Sequence, residues 1–534
     1  MFLKKFIFQT LFIIFLNGVL VGCTPEKVNE NNFTQPVINF YSTQNTKEIL
    51  DVNDFIWKGL NEYYYWQSKV ELLSDENLVD AKGYSEIIDS NSNSQDFFYS
   101  LLHPDDRFSV IYDNYKELQN SLGGVISSTG VEWGVLRACE NCNELIGYVK
   151  YILTGSIAEE EKKISRGDIF NGVDGNILTA SNYLDLLYGS QPFISLNMAS
   201  IKNGKIVSSP EIVKLKREEN FQINPIQISK TINLTTGDNG SSKKIGYLMY
   251  NQFILGMGND LNSVFEDFKS QNISDLIIDL RYNGGGSIRN CIELSSMITG
   301  QFQNKIFAKE KWNKKLETLI IEEFGTEKII NRFVGSLRDG QQINHLELSR
   351  VFVITSSETA SASELLINGL TPYIEVIHVG EQTVGKNVGS TTVYDYTEDS
   401  TESNFPRSPS GKGLGSVQVS EYTDEEREIN PDHTFAMQPI VFKIANAEDF
   451  ADYSSGLIPD YLIKEDLTRM GTLGSKEEPL LERVLALISG TEKYQPYDGK
   501  MKISKNRSVK NPLLLQRQNM FKSEVFFTKK DKSN

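Results

Sequence analysis

Leu276-Ile277-Ile278-Asp279-Leu280-Arg281-Tyr282-Asn283-Gly284-Gly285-Gly286 decides how this chain is read. A near-continuous apolar run of this length suits a strand buried on both faces, as in a parallel sheet covered by helices. Three consecutive glycines then let backbone N–H groups approach a ligand oxygen closely. Upstream, Ile245–Tyr250 reads as a strand. Leu261, Val264, Phe265 and Phe268 follow at i, i+3, i+4 and i+7, the stripe of a helix with one buried face. Downstream, Ile288, Cys291 and Ile292 mark a helix, Val351–Ile354 a strand, Ser361–Leu370 a helix and Ile374–Val379 a strand. Such alternation predicts one α/β domain over roughly residues 225–490.

Two further segments of this domain carry chemistry. Thr359-Ala360-Ser361-Ala362-Ser363-Glu364 falls where the strand 351–354 turns into a helix. A serine there has its hydroxyl lifted above the sheet, and the N–H groups of the helix start point at developing negative charge. Acyl transfer wants that pairing of a nucleophile with an oxyanion site. Small residues and serines also cap many ordinary helices, so this segment alone is a weak signal. Glu381-Gln382-Thr383-Val384-Gly385-Lys386 follows the next strand and brings Lys386 to the same sheet edge. A lysine withdrawn from water loses its charge more readily and can serve as a general base.

Composition sets the frame around this domain. The 534 residues are 39% apolar and 23% charged, which excludes a polytopic membrane protein, a collagen-like fibre or a wholly disordered chain. A net charge of −16 argues against a broad nucleic-acid surface. His103, His345, His378 and His433 are scattered, with no paired metal spacing. There is no Walker-A sequence and no GxGxxG after a strand, so no cofactor is expected. Cys139-Glu140-Asn141-Cys142 is half of what a structural zinc site needs. It would equally be a local disulfide outside the cytoplasm, or two neighbouring thiols.

Met1–Gly22 has the form of a signal peptide: Lys4 and Lys5, then the apolar run Phe6–Leu16, then small residues. That run is short for the ~20 apolar residues that span a bilayer. Leu20-Val21-Gly22-Cys23 resembles the lipobox of bacterial lipoproteins, which implies acylation of Cys23 and a place in the cell envelope. Residues 23–48 are polar, as a tether would be, and 49–119 read as a small helical domain. Over 120–222, short β-rich runs between glycine turns include Gly130-Val131-Glu132-Trp133-Gly134 and Gly167-Asp168-Ile169. Their order resembles a PDZ domain, in which Gly130, Val131, Trp133 and Gly134 would hold a peptide C-terminus by strand addition. Residues 396–435 read as a long surface loop. Residues 491–534 carry 11 Lys or Arg against 4 Asp or Glu, a basic tail.

Taken together, the PDZ-like region, the Leu-Arg-x-Asn-Gly-Gly-Gly run, Ser-Ala-Ser-Glu, Gly-Glu-x-Thr-x-Gly-Lys and Gly456-Leu457-Ile458-Pro459-Asp460 resemble the carboxyl-terminal processing, or tail-specific, proteases. In that family the nucleophile precedes the lysine by 25 residues, the separation of Ser361 from Lys386. The resemblance implies Ser361 as nucleophile and Lys386 as general base. It implies an oxyanion hole from Ala362 and one of Gly284 and Gly285, with Glu364 and Thr383 in support. It also implies a crotonase-like core with a PDZ-like domain and a helical N-terminal domain controlling access. The substrates would be exported polypeptides cut at or near their C-termini, with no metal or nucleotide. One position departs: many members carry a glutamine four residues after the lysine, and here Ser390 stands there. A binding protein on the same fold that has lost turnover is the alternative.

Overall fold

The computed structural model describes residues 45–139, 142–202, 205–236, 241–396 and 429–491. The leader 1–22, Cys23 and the basic tail from 492 onward lie outside the described residues, as does 397–428 of the acidic loop. Contacts divide the chain into two compact units. One comprises 1–118, 310–329 and 388–444, and the other 119–309, 330–387 and 445–534. Segments 310–329 and 388–444 of the 225–490 span thus cluster with the N-terminal helices.

The first unit is built on the helix Lys47–Tyr63, capped where the Thr46 hydroxyl accepts the Ile49 N–H at 3.4 Å. Its apolar face carries Val52, Phe55, Ile56 and Leu60, which pack with Phe97, Phe98 and Leu101. Met437 reaches the same core from far along the chain. Val110–Tyr112 pairs antiparallel with Ala436–Gln438, which pairs with Val393–Tyr394. Val388–Ser390 pairs antiparallel with residues 440–443, so Ser390 belongs to this unit.

The second unit holds two sheets. Strands β1 (Val131–Arg137), β2 (Leu145–Ile152), β3 (Ile169–Val173), β4 (Asn176–Ile177), β5 (Phe193–Lys202) and β6 (Lys205–Lys216) form an antiparallel sheet. Its order is β1-β2-β3-β5-β6, with β4 on β3. Helices α1 (Ile157–Glu161) and α2 (Tyr183–Tyr188) accompany it. Residues of β1, β2, β3, β5 and β6 enter one core, where Trp133 meets Phe170 edge-on at 5.2 Å. The turn between β1 and β2 brings Cys139 and Cys142 together, their Cα atoms 5.4 Å apart.

The other sheet runs β7 (Ile226–Thr236), β8 (Ser241–Tyr250), β9 (Asp275–Asp279), β10 (Arg350–Thr355), β11 (Glu375–Gly380) and β12 (Tyr461–Leu462). From β8 onward neighbours are parallel. Every residue of β9 is buried, as its apolar run requires. Helix α3 (Gly258–Ser270) follows β8, α4 (Ile288–Thr299) the glycine loop, α5 (Ala362–Leu370) β10, and α6 (Pro479–Ser489) closes the unit. Leu480, Leu481, Val484 and Leu485 of α6 pack with Ile245, Tyr247 and Met249 of β8 on one face. Carboxyl ends of parallel strands are where such sheets place ligands.

Between the two sheets stands a buried ion network. Arg281 is fully buried and donates to Asp279 Oδ2 (2.7 Å), Glu478 Oε1 (2.6 Å) and Glu465 Oε1 (2.9 Å). Arg166, just before β3, pairs with the same Glu465 and donates to the Tyr282 hydroxyl. Burial would raise the Glu465 carboxyl, but the Arg166 and Arg281 guanidiniums outweigh it and hold the group at about 2. Lys150 of β2 pairs with Glu358, three residues before Ser361.

Candidate active site

Ser361 stands at the N-terminus of α5 with φ +56° and ψ −116°, a conformation that non-glycine residues rarely adopt. Holding it there costs of order 1–3 kcal/mol, and such strain gathers at functional sites. Residues 362–370 behind it are buried, whereas Ser361 is half-exposed. The turn is over-determined by bonds to the glycine loop. Thr359 Oγ1 donates to the Leu280 carbonyl (2.9 Å), and Ala360 N–H to the Asn283 carbonyl (3.2 Å). Ser363 Oγ donates to that same Asn283 carbonyl at 3.0 Å.

Asn283 also organises the loop through its side chain. Its Nδ2 donates to the Tyr250 carbonyl at the end of β8 (2.8 Å), and its Oδ1 accepts the Gly285 N–H (2.8 Å). Of the two glycines expected to offer an oxyanion donor, Gly285 therefore has its N–H already engaged. The Gly284 N–H has no partner among the described residues. Gly285 has φ +106°, and a Cβ there would lie 2.6 Å from Ser361 Cβ and 2.9 Å from Ala362 N. Only glycine lets the loop approach the serine turn this closely.

Glu364 joins the two halves of the site. Its fully buried carboxylate accepts four hydrogen bonds. Oε1 receives Thr383 Oγ1 (2.5 Å) and Gly385 N–H (2.7 Å), and Oε2 receives Ser361 N–H (2.8 Å) and Lys386 N–H (2.8 Å). The backbones of Ser361 and Lys386 are thus two hydrogen-bond lengths apart across one oxygen. Lys386 is buried. Thr383 Oγ1 in turn accepts the Leu457 N–H at 2.7 Å, so the Gly456-Leu457 segment braces the lysine loop. Burial raises the Glu364 carboxyl above its usual 4.5, against the pull of Thr383, Gly385, Lys386 and Ser361.

A carboxylate with only donors around it cannot be replaced by an amide without loss. Glu364→Gln turns an NH2 toward two of the four donors, each charge-assisted bond being worth about 1.5–3 kcal/mol. Peptide cleavage should fall roughly a hundred-fold or more in kcat/KM. The raised carboxyl also fixes a direction with pH. As pH falls, Glu364 protonates in the folded protein before it would in the unfolded chain, so the bridge starts to be lost while an ordinary glutamate would still be ionised. The acid limb of the activity profile should therefore lie above the ordinary glutamate range. A limb at or below it would contradict the bridging role.

The residues expected to bind a peptide sit differently from the Ser361 site. Val131 and Trp133 point into the core of their own sheet, and Gly134 is covered by the Tyr148 ring, so none offers a side-chain surface. Alternation along β1 is the reason: a strand with one face in a core sends every second residue inward. Gly130 N–H is taken by Ser128 Oγ at 3.0 Å. What remains is the backbone edge of β1, which pairs with β2 alone in its sheet. Asn283 and the Cys291 thiol, which donates to the Ala362 carbonyl at 3.2 Å, had no assigned part in the site. Asn283 lay inside a quoted motif; nothing in the sequence singles out Cys291. Among the described residues no cluster of His, Cys, Asp and Glu could hold a metal ion.

Residues 244–406 match the family model described as Peptidase family S41, and residues 51–110 match that of the Peptidase S41 N-terminal domain. Over these two segments the chain is similar to peptidases of family S41. Carboxyl-terminal-processing peptidase 2, chloroplastic, of Arabidopsis thaliana is 26% identical over 290 residues, 53% of this chain and 50% of that protein. The carboxyl-terminal-processing protease of a Picosynechococcus species is 22% identical over 62% of this chain and 70% of its own length. The chain thus spans about half the length of the first of these S41 relatives. A crystal structure from Bacteroides fragilis, named "Putative S41 protease", superposes with a TM-score of 0.59 at 23% identity, covering 82% of this chain and 97% of that one. The fold is accordingly the α/β S41 protease fold with an N-terminal domain.

Proposed function

We propose that this chain is a serine endopeptidase that cleaves polypeptides through an acyl-enzyme, with Ser361 as nucleophile and Lys386 as general base. The observation that carries this reading is the Glu364 carboxylate, which draws the backbones of Ser361 and Lys386 onto one oxygen. Ser361 Oγ attacks the scissile carbonyl while its proton passes to the neutral Lys386 amine. The Ala362 and Gly284 N–H groups receive the oxyanion, which fits the engagement of Gly285 elsewhere. The leaving amine takes the proton from Lys386, and water then repeats the sequence on the ester. A crotonase-like core is the fold we assign to the sheet β7–β12.

The antiparallel sheet β1–β6 is read as PDZ-like, with the edge of β1 accepting a substrate C-terminus as an added strand. Its ties to the core at Arg166, Lys150 and Tyr282 would let that domain control access. Substrates are then exported polypeptides cut near their C-termini. Ser390 is assigned an auxiliary part at most, since a serine hydroxyl reaches two carbons less far than the glutamine amide it replaces. Cys23 is assigned as the acylated residue of an envelope lipoprotein. No helix among the described residues is long and apolar enough to cross a membrane. Cys23→Ser should move the protein from the membrane fraction to the soluble one. An uncut, membrane-held variant would instead indicate a membrane-spanning leader.

The deciding experiment is labelling of the purified protein with a fluorophosphonate serine probe. Labelling of the parent and not of Ser361→Ala supports the enzyme. Equal labelling of both would put the reactive serine elsewhere and dismiss Ser361; labelling of neither, alongside no peptide cleavage, would leave only a binding protein.

A further inference from the structure

The outward face of the β3–β6 sheet carries an apolar surface that the proposed activity does not use. Ile194, Leu196, Val213 and Leu215 fill the core of that sheet, so their neighbours Phe193, Ile212, Lys214 and Lys216 face outward. The register pairs Phe193 with Lys216 and Asn197 with Ile212. Asn197 pairs with Gly172, and Gly172 with Ile177 on β4. Ile212 and Ile177 therefore end one row across four strands, about 14 Å apart at the usual strand spacing. Phe193 lies four residues along, about 13 Å away. Ile212 is 62%, Ile177 57% and Phe193 44% exposed, in a chain that buries most of its large apolar side chains.

Charge says what covers this face. Residues 193–216 hold four lysines, Lys202, Lys205, Lys214 and Lys216, against one acid, Glu211, in a protein of net charge −16. Lys214 Nζ lies 4.3 Å from the centre of the Phe193 ring, so cation and ring present themselves together. Asp174, the other acid beside the row, has its carboxylate bonded to the Ser195 N–H at 2.9 Å. Lysines on an edge strand such as β6 also discourage strand pairing. That accounts for the cations and leaves three exposed apolar side chains unexplained. A second copy related by a two-fold axis would set lysine row against lysine row. An acidic peptide would answer the lysines and leave the isoleucines in water.

We propose that this face docks on an anionic lipid surface, the lysines meeting phosphate headgroups while Phe193, Ile212 and Ile177 enter the headgroup–acyl boundary. The orientation would lay the PDZ-like sheet against the bilayer, and the proposal stands independently of whether Cys23 is acylated.

The test uses residues 24–534, which retain every described residue and lack the leader. Binding to vesicles of phosphatidylglycerol and phosphatidylcholine at about 3:7 is compared with phosphatidylcholine alone by sedimentation. Binding to the anionic vesicles only is expected, weakening roughly five-fold for each of Lys214→Gln and Lys216→Gln. Phe193→Ser with Ile212→Ser should weaken it at least as much, with fluorophosphonate labelling and melting temperature unchanged. Should that pair disturb the fold, the lysine variants alone decide. No binding to anionic vesicles, or binding that none of these substitutions moves, as the basic tail 492–534 would give, overturns the proposal.

Discussion

Ser361→Ala should abolish peptide cleavage, with a fall in kcat/KM on the order of 10³-fold or more, and leave the melting temperature within a few degrees of the parent. The hydroxyl is the bond-forming atom in the proposed chemistry, so no neighbour substitutes for it. Its removal costs the fold little, because the Thr359, Ala360 and Ser363 bonds to the glycine loop also hold the turn. Lys386→Ala should be as severe in rate. Lys386→Arg should fail too, since a guanidinium does not give up its proton at working pH. Because each removes one member of a unit, the double variant should be little worse than either alone. Steady-state cleavage of a defined peptide, run beside thermal melts, reads both effects. Near-parent turnover in either single variant would dismiss the dyad. Loss of turnover together with loss of fold in Lys386→Ala would point to a structural lysine instead.

The segments that carried their own signal were legible. Leu276–Leu280 reads as a doubly buried strand because only that position tolerates an unbroken apolar run, and all of β9 is buried. The stripe of Leu261, Phe265 and Phe268 shows in α3 for the same kind of reason, since one buried face imposes its period on the sequence. The strand-to-helix junction at Ser361 was legible, and the strained turn falls there.

What was hidden depends on partners far away in sequence. The resemblance names Glu364 as a supporting residue, but half its bonds come from backbone N–H groups of Gly385 and Lys386, which no side chain announces. The choice between Gly284 and Gly285 turned on the Asn283 side chain, a rotamer matter that spacing does not encode. Met437 packs beside Val52 and Phe55, and nothing local in 436–444 says that this stretch returns to the N-terminal helices. Val131 and Trp133 read as a binding surface from their glycine flanks within a PDZ-like order of elements, whereas both side chains belong to the core of their own sheet.

Arg281→Met should destabilise the protein by about 3–5 kcal/mol, the cost of removing one partner from a buried ion network. Arg281 is fully buried and answers Asp279, Glu478 and Glu465 at once. Its loss leaves Asp279 and Glu478 without a cation, and uncompensated buried charge costs far more than the pair gained by forming. Methionine keeps much of the volume, so cavity formation contributes little. Replacing the carboxylates as well, in Arg281→Met/Asp279→Leu/Glu478→Met, should recover most of the stability, which a packing explanation does not predict. The pH dependence follows from Glu465. Its folded value of about 2 lies below the unfolded 4.5, so its contribution is present above pH 4.5 and is lost as pH falls toward 2. With Arg281 gone, Arg166 and the Tyr282 hydroxyl still hold Glu465 down, and that acid sensitivity should shrink. Turnover should fall with stability, because the Arg281 and Leu280 carbonyls receive the Ser356 and Thr359 hydroxyls that hold the Ser361 turn over the strand end. Denaturant melts between pH 3 and pH 7, with cleavage rates at the same points, separate the two effects. A parent-like denaturation midpoint in Arg281→Met would mean that solvent reaches the network and that its charges are not buried as the structure has them.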